Sequence, residues 1–152
     1  MAVFEYETEL ECSPHSLFEF LRRPANVAQV SKPDLGIKFT SAPDVLHQGA
    51  QIDFQIVSFG QVFKSTHLIS EMAEPTLLIE QQVTGPMKAW RHRHEYVANG
   101  QGVIKRDIVD FQLPGGILGM LLSESKVIDH LEDGFFYREQ RLKELIDRGV
   151  LQ

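Results

Sequence analysis

One cysteine, Cys12, and one tryptophan, Trp90, stand in a chain of 152 residues, and no apolar run approaches the length of a membrane span. A lone cysteine excludes an intramolecular disulfide. The longest apolar stretch, Ile117-Leu118 and Met120-Leu121-Leu122 read through Gly119, falls far short of the roughly 20 residues that cross a bilayer. Positive charge is also scarce. Fifteen Lys and Arg against twenty-one Asp and Glu give a net charge of -6, which disfavours a binder of phosphate backbones. The opening MAVFEYETEL alternates instead of forming a charged segment followed by an apolar one, so no signal peptide is read there. These shortages point to a reduced, cytoplasmic, soluble protein with no nucleic-acid partner and no integral membrane segment.

What is present is ordinary globular material: 43% apolar and 24% charged residues. At this length a single domain over residues 1–152 buries about 68–70% of the surface its unfolded chain exposes. Phe4, Tyr6, Thr8 and Leu10 alternate with glutamates, the period of a strand with one buried face. Ser13-Pro14 then supplies a helix cap and a proline at the first helical position, followed by Leu17, Phe18, Phe20 and Leu21 at helical spacing. A second short helix is expected over residues 25–32, between Pro24 and Pro33. Six extended runs follow, at 36–41, 50–59, 61–72, 76–83, 88–98 and 102–113, separated by short turns suited to an antiparallel meander. Ile128, Leu131, Phe135, Leu142 and Leu145 then mark one apolar stripe on a long C-terminal helix.

The order of one strand, two short helices, six strands and one long helix describes an α+β fold, a curved seven-stranded antiparallel sheet around its last helix. Three stretches carry a more specific likeness: EQQVTGPMKAWRHRHEY at 80–96, DIVDFQLPGGILG at 107–119 and FFYR at 135–138. They resemble the Gly-Pro, Trp-x-His-x-His-x-aromatic, Asp-x-Val-x-aromatic-x-x-Pro and Phe-x-x-Arg landmarks of bacterial members of the START-like, or SRPBCC, superfamily. That superfamily shares its helix-grip fold with Bet v 1 and the polyketide cyclases. The resemblance covers nearly the whole chain. It implies a deep, mainly apolar cavity between sheet and C-terminal helix, without implying a particular reaction.

The paired histidines of WRHRHEY admit three readings: metal clamp, catalytic couple or furniture of the sheet. If the NGQG turn closes a two-residue hairpin on Asn99 and Gly102, His94 faces Asp107, Trp90 faces Phe111, His92 faces Val109 and Tyr96 faces Lys105 on one side. Arg91–Asp110 and Glu95–Arg106 then pair on the other. A one-residue slip would exchange the faces, so the complementary charges support this register and put Trp90, His92, His94, Asp107, Val109 and Phe111 on the concave side. A metal needs at least three converging ligands; His-x-His on a strand offers two, roughly 7 Å apart at the backbone, and no third is evident, so no metal site and no cofactor is expected. A catalytic reading makes His94 a base oriented by Asp107. A structural reading makes Asp107 the partner that satisfies a half-buried His94.

Arg138 interrupts the helical stripe where an apolar residue belongs. It either pairs with a strand acid such as Glu80 or Asp107, or meets an anionic group of a ligand. Leu113–Leu122, with three glycines among apolar residues, reads equally as a gate or as a tight turn and a buried helical turn. Cys12 reads as packing.

Three functions stay open. The leading one is binding or carriage of an apolar or aromatic small molecule, lipid or polyketide-like, with Phe54, Ile56, Trp90, His92, His94, Val109, Phe111, Leu131, Phe135 and Arg138 as lining. The second is an aromatase/cyclase-type enzyme with His94 as base, Asp107 as its orienter and Arg138 stabilising an enolate-like anion. The third is a protein-interaction module, a homodimer included, using exposed residues such as Val57 and Phe59 beside Gly60.

Overall fold

The structure, a computed structural model, describes residues 1–152. The alternating start forms β1 (Ala2–Leu10), with Ala2, Phe4, Thr8 and Leu10 buried. Ser13 caps α1 (Pro14–Leu21): its hydroxyl oxygen accepts from the Ser16 N–H at 3.0 Å, and Pro14 sits where no donor is needed. The expected second helix is two shorter pieces, α2 (Pro24–Gln29) and a 3-10 turn (Pro33–Leu35). Proline explains the split. Pro33 has no N–H to give a continuing helix and holds Lys32 extended at ψ 127.

The six later strands are β2 (Lys38–Ser41), β3 (Gln51–Ser58), β4 (Gln61–Ala73), β5 (Leu77–Thr84), β6 (Ala89–Asn99) and β7 (Gly102–Gln112). They form one antiparallel sheet in the order β1-β7-β6-β5-β4-β3-β2, a meander whose last strand takes β1 as its outer neighbour. Register shifts fall in β4 on either side of His67-Leu68, between Thr66 and His67 and between Ile69 and Glu71, and such bulges bend a strand. The β6–β7 register is the expected one, from Asn99↔Gly102 through His94↔Asp107 to Trp90↔Phe111. On its convex face Glu95 and Arg106 pair at 3.2 Å, whereas Arg91 stands opposite Asp110 without closing an ion pair.

After β7 comes α3 (Gly116–Leu121) and then α4 (Glu124–Asp147), capped by Ser123, whose hydroxyl oxygen accepts from Lys126 N–H at 3.2 Å. At 24 residues α4 is about 36 Å long and spans the concave side of the sheet. This is the helix-grip arrangement. The buried helical turn read into Leu113–Leu122 is absent: Ile117 and Met120 are 79% and 86% exposed, and it is the ends of the segment, Leu113 and Leu122, that pack inside. No helix is long and apolar enough to cross a membrane.

Apolar packing divides into two clusters. The larger joins α1, the far end of α4 and the inner faces of several strands, with Leu17, Phe18, Val30, Ile69, Leu142 and Leu145 at its centre. The smaller joins Ala2, Phe4, Val109, Phe111 and Val127 under the start of α4. The helical stripe is accordingly uneven. Val127 rather than Ile128 is its buried first member, and Leu131 and Phe135 are only half-buried because they face the space between the clusters. Leu142→Ala and Leu145→Ala are therefore expected to destabilise by about 2–5 kcal/mol each, and Leu131→Ala by less. Urea midpoints of the three variants check this, and equal losses would mean that Leu131 bears on a filled core.

Candidate ligand cavity and its buried charge cluster

Between the two clusters lies a cavity of about 570 Å³, bounded by the inner faces of β3 to β6, by α2 and by α4. Of its 37 lining residues, 20 are hydrophobic. Eight of the ten residues expected to line it do so: Phe54, Ile56, Trp90, His92, His94, Leu131, Phe135 and Arg138. Val109 and Phe111 do not. Both point to the concave side, but β1 and the start of α4 cover them, leaving each 0% exposed in the smaller core. At the mouth, Ser58 and His130 touch at 3.1 Å, Phe59 packs on His130, and Lys32 pairs with Asp133. Val57 and Phe59 are partly exposed there, and both belong to the cavity wall as well.

The cavity's polar end is a cluster assembled by four adjacent strands. Glu80 of β5 is its hub, standing directly opposite His92 in the β5–β6 register. Its Oε2 accepts from His67 Nδ1 at 3.0 Å; its Oε1 accepts from His94 Nε2 at 3.1 Å and faces His92 Nδ1 at 3.3 Å. Asp107 then takes His92 rather than its cross-strand neighbour: His92 Nε2 donates to Asp107 Oδ1 at 2.8 Å, while His94 Nδ1 lies 3.4 Å from the same oxygen. The expected pairing of His94 with Asp107 thus holds for the backbone and is displaced diagonally for the side chains. Lys105, at the next inner position of β7, makes a short contact with Asp107 and donates to His94 Nδ1 at 3.4 Å. Lys105 and Asp107 are 2% and 1% exposed.

Protonation follows from this geometry. Burial would raise the Asp107 carboxyl, but Lys105 and His92 hold it far below the usual carboxylate range. Burial likewise opposes ionisation of Glu80, and hydrogen bonds from His67, His92 and His94 overcome it. His92 is raised, because Asp107 and Glu80 outweigh the burial that opposes its charge. His94 goes the other way, from 6.5 to about 3, through burial first and then repulsion from His92 and Lys105. Burial lowers the Lys105 amine while its contact with Asp107 favours its charge, so the two carboxylates face His92 and Lys105, with a neutral His94 passing a hydrogen bond from Lys105 to Glu80. No nitrogen or oxygen of the cluster's side chains is buried without a hydrogen-bond partner.

Glu80, His92 and His94 also place ligand-type atoms within 4.8 Å of one another, so a third candidate ligand stands beside the two histidines that the spacing did not reveal. The imidazoles of His92 and His94 stack at 3.6 Å with only 24° between their planes. Their lone pairs consequently run side by side instead of converging on one point, and His92 Nε2 is already taken by Asp107. The arrangement suits bridging protons better than an ion. Cys12 is buried in the larger core, where burial lifts its thiol to about 11 and leaves it an unreactive packing group.

Neither Glu80 nor Asp107 pairs with Arg138. Both are consumed by the histidines and Lys105, and the guanidinium instead lies over Phe135 and touches Ser31. Sequence reasoning also missed His67 and the central place of Glu80. A signal existed for Lys105, which alternation placed on the inner face of β7, where an unpaired lysine does not persist.

The cluster makes stability depend on pH in two opposed ways. His94 is depressed in the folded state, so its contribution is present above 6.5 and is lost as pH falls toward about 3. His92 is raised, so its contribution is present below 6.5 and is lost as pH climbs through its folded value. Glu80 and Asp107 add a loss only below their ordinary 4.5 and 3.8. Urea midpoints should therefore be highest near pH 6.5, and His94→Gln should flatten the limb between 4.5 and 6.5, where the carboxylates do not titrate. A limb as steep in the variant as in the wild type would contradict a neutral buried His94.

No family model and no curated protein matches this sequence. Solved structures do. Protein TTHA0849 from Thermus thermophilus superposes with a TM-score of 0.74 at 12% identity, over 92% of this chain and 96% of that one. Major latex-like protein 151 from Panax ginseng gives 0.67 at 12%, and Ara h 8.0201 gives 0.62 at 16%, each over the same shares of the two chains. Likeness of backbone at such low identity speaks to fold and not to chemistry. With its seven-stranded curved sheet, its two short helices after β1 and its gripping C-terminal helix, this chain has the Bet v 1-like helix-grip fold.

Proposed function

We propose that the protein binds or carries an apolar or aromatic small molecule in the cavity between sheet and α4. The supporting observation is the cavity itself: about 570 Å³ of mainly apolar space, within the range of roughly 300–1,000 Å³ typical of small-molecule sites. Trp90, Phe54, Leu131 and Phe135 supply broad apolar contact, and a few polar groups at one end supply orientation.

The enzyme alternative draws less support from the geometry. A general base works best with a pKa near the working pH, whereas His94 is held down at about 3 and has both ring nitrogens engaged. Asp107, its intended orienter, is bound first to Lys105 and His92.

The neutral fluorophore N-phenyl-1-naphthylamine tests the cavity reading. Its emission should rise on titration with folded protein, and Trp90→Ala or Phe54→Ala should weaken binding by about 1–3 kcal/mol through lost apolar burial. His94→Gln should keep most of the affinity. Thermal midpoints measured alongside separate lost binding from lost folding. A folded wild-type protein that leaves the fluorophore dark would refute the reading.

A further inference from the structure

Each charge of the buried cluster has its counterpart, yet one cation beside it has none. Arg138 projects from α4 into the cavity, with Cζ 5.6 Å from the centre of the Phe135 ring. That ring packs edge-on against His92 at 5.7 Å, which puts the guanidinium at the cluster's end of the space. Its one hydrogen bond runs from Nη2 to Ser31 Oγ at 3.3 Å, and Ser31 already donates its own proton to Val27 C=O at 2.6 Å. The Arg138 Nε is the single buried side-chain polar atom in the protein without any partner.

A second donor waits nearby. Tyr96 lines the same cavity with Lys105 Nζ 5.5 Å from its ring centre, and its hydroxyl makes no hydrogen bond to another side chain. A half-buried guanidinium lacking a counter-charge is strongly unfavourable, and an apolar residue at 138 would simply have continued the helical stripe. Nothing in the protein supplies the missing acceptor.

We infer that the ligand is a monoanionic amphipath, an apolar chain or ring system lying along the cavity wall with one carboxylate received by the Arg138 guanidinium and the Tyr96 hydroxyl. This rests on the cavity being a binding site. A planar guanidinium matches the two oxygens of a carboxylate, and Tyr96 donates without adding charge. A phosphate fits less well. Its second negative charge would meet Glu80 in the same wall, and the other cations nearby are committed, His92 and Lys105 to the cluster and Lys32 to Asp133 and Asp34.

The test compares dodecanoic acid with dodecanol, equal in chain and different in head, each displacing N-phenyl-1-naphthylamine at about pH 7.5 below its solubility limit. The acid should bind roughly 10- to 100-fold more tightly, the factor expected of a charge-assisted hydrogen bond. Arg138→Met should bring the acid to the alcohol's level, Arg138→Lys should retain part of the preference, and Tyr96→Phe should reduce it. Equal binding of acid and alcohol by the wild type overturns the inference without requiring any variant to fold, and so does an acid preference that survives Arg138→Met. If neither compound nor the fluorophore binds, the cavity reading itself falls, a signature distinct from loss of head-group selectivity.

Discussion

Charges taken out of water must be compensated where they lie, and in this protein that requirement is met at one point, the contact of Glu80 and Asp107 with His92 and Lys105. Removing one partner of such a set leaves a buried charge exposed to low dielectric, typically at a cost of about 3–5 kcal/mol. The partners come from neighbouring strands, with His67 on β4, Glu80 on β5, His92 and His94 on β6, and Lys105 and Asp107 on β7. Strand register across the middle of the sheet is consequently specified twice, by apolar alternation and by polar satisfaction. A slip that left apolar packing intact would still strand a carboxylate.

A polar centre of this kind also shapes the core around it. An apolar helix face laid directly on the cluster would add nothing to charges already satisfied and would give up apolar contact of its own. The apolar groups gather on either side, into the larger cluster with Leu142 and Leu145 and the smaller one with Val127, Val109 and Phe111. α4 bridges them, and the residues it carries across the gap, Leu131, Phe135 and Arg138, become cavity wall. The two ends of α4 thus hold the fold while its middle faces space. Core packing and cavity wall are assigned to different turns of one helix.

Likeness to solved structures at identities such as 10% and 17% is a likeness of backbone and says nothing of the side chains that line a cavity. The arrangement of Glu80, His92, Asp107 and Arg138 is a property of this chain's own residues. Chemistry at the cavity's polar end has to be argued from them.

Much of the architecture was legible beforehand because it rests on local or near-neighbour rules. Period-two alternation marked the strands, Ser13-Pro14 marked a helix start, and the two-residue turn at Gly100-Gln101 carried the register from β6 into β7, placing His94 opposite Asp107. The site was legible only as far as that hairpin reached. Glu80 meets His92 across a longer β5–β6 connection whose length does not dictate register, and His67 reaches Glu80 from a strand bent by bulges. Side chains also reach diagonally, which is how Asp107 took His92 instead of His94. The sequence by itself determined the order of elements, the inward faces of β6 and β7 and an arginine out of place on α4. Only the tertiary structure decided that Glu80 joins the histidines, that β1 and α4 seal Val109 and Phe111 away from the cavity, and that Arg138 is left without a counter-charge, because these depend on distances between segments that no local pattern encodes.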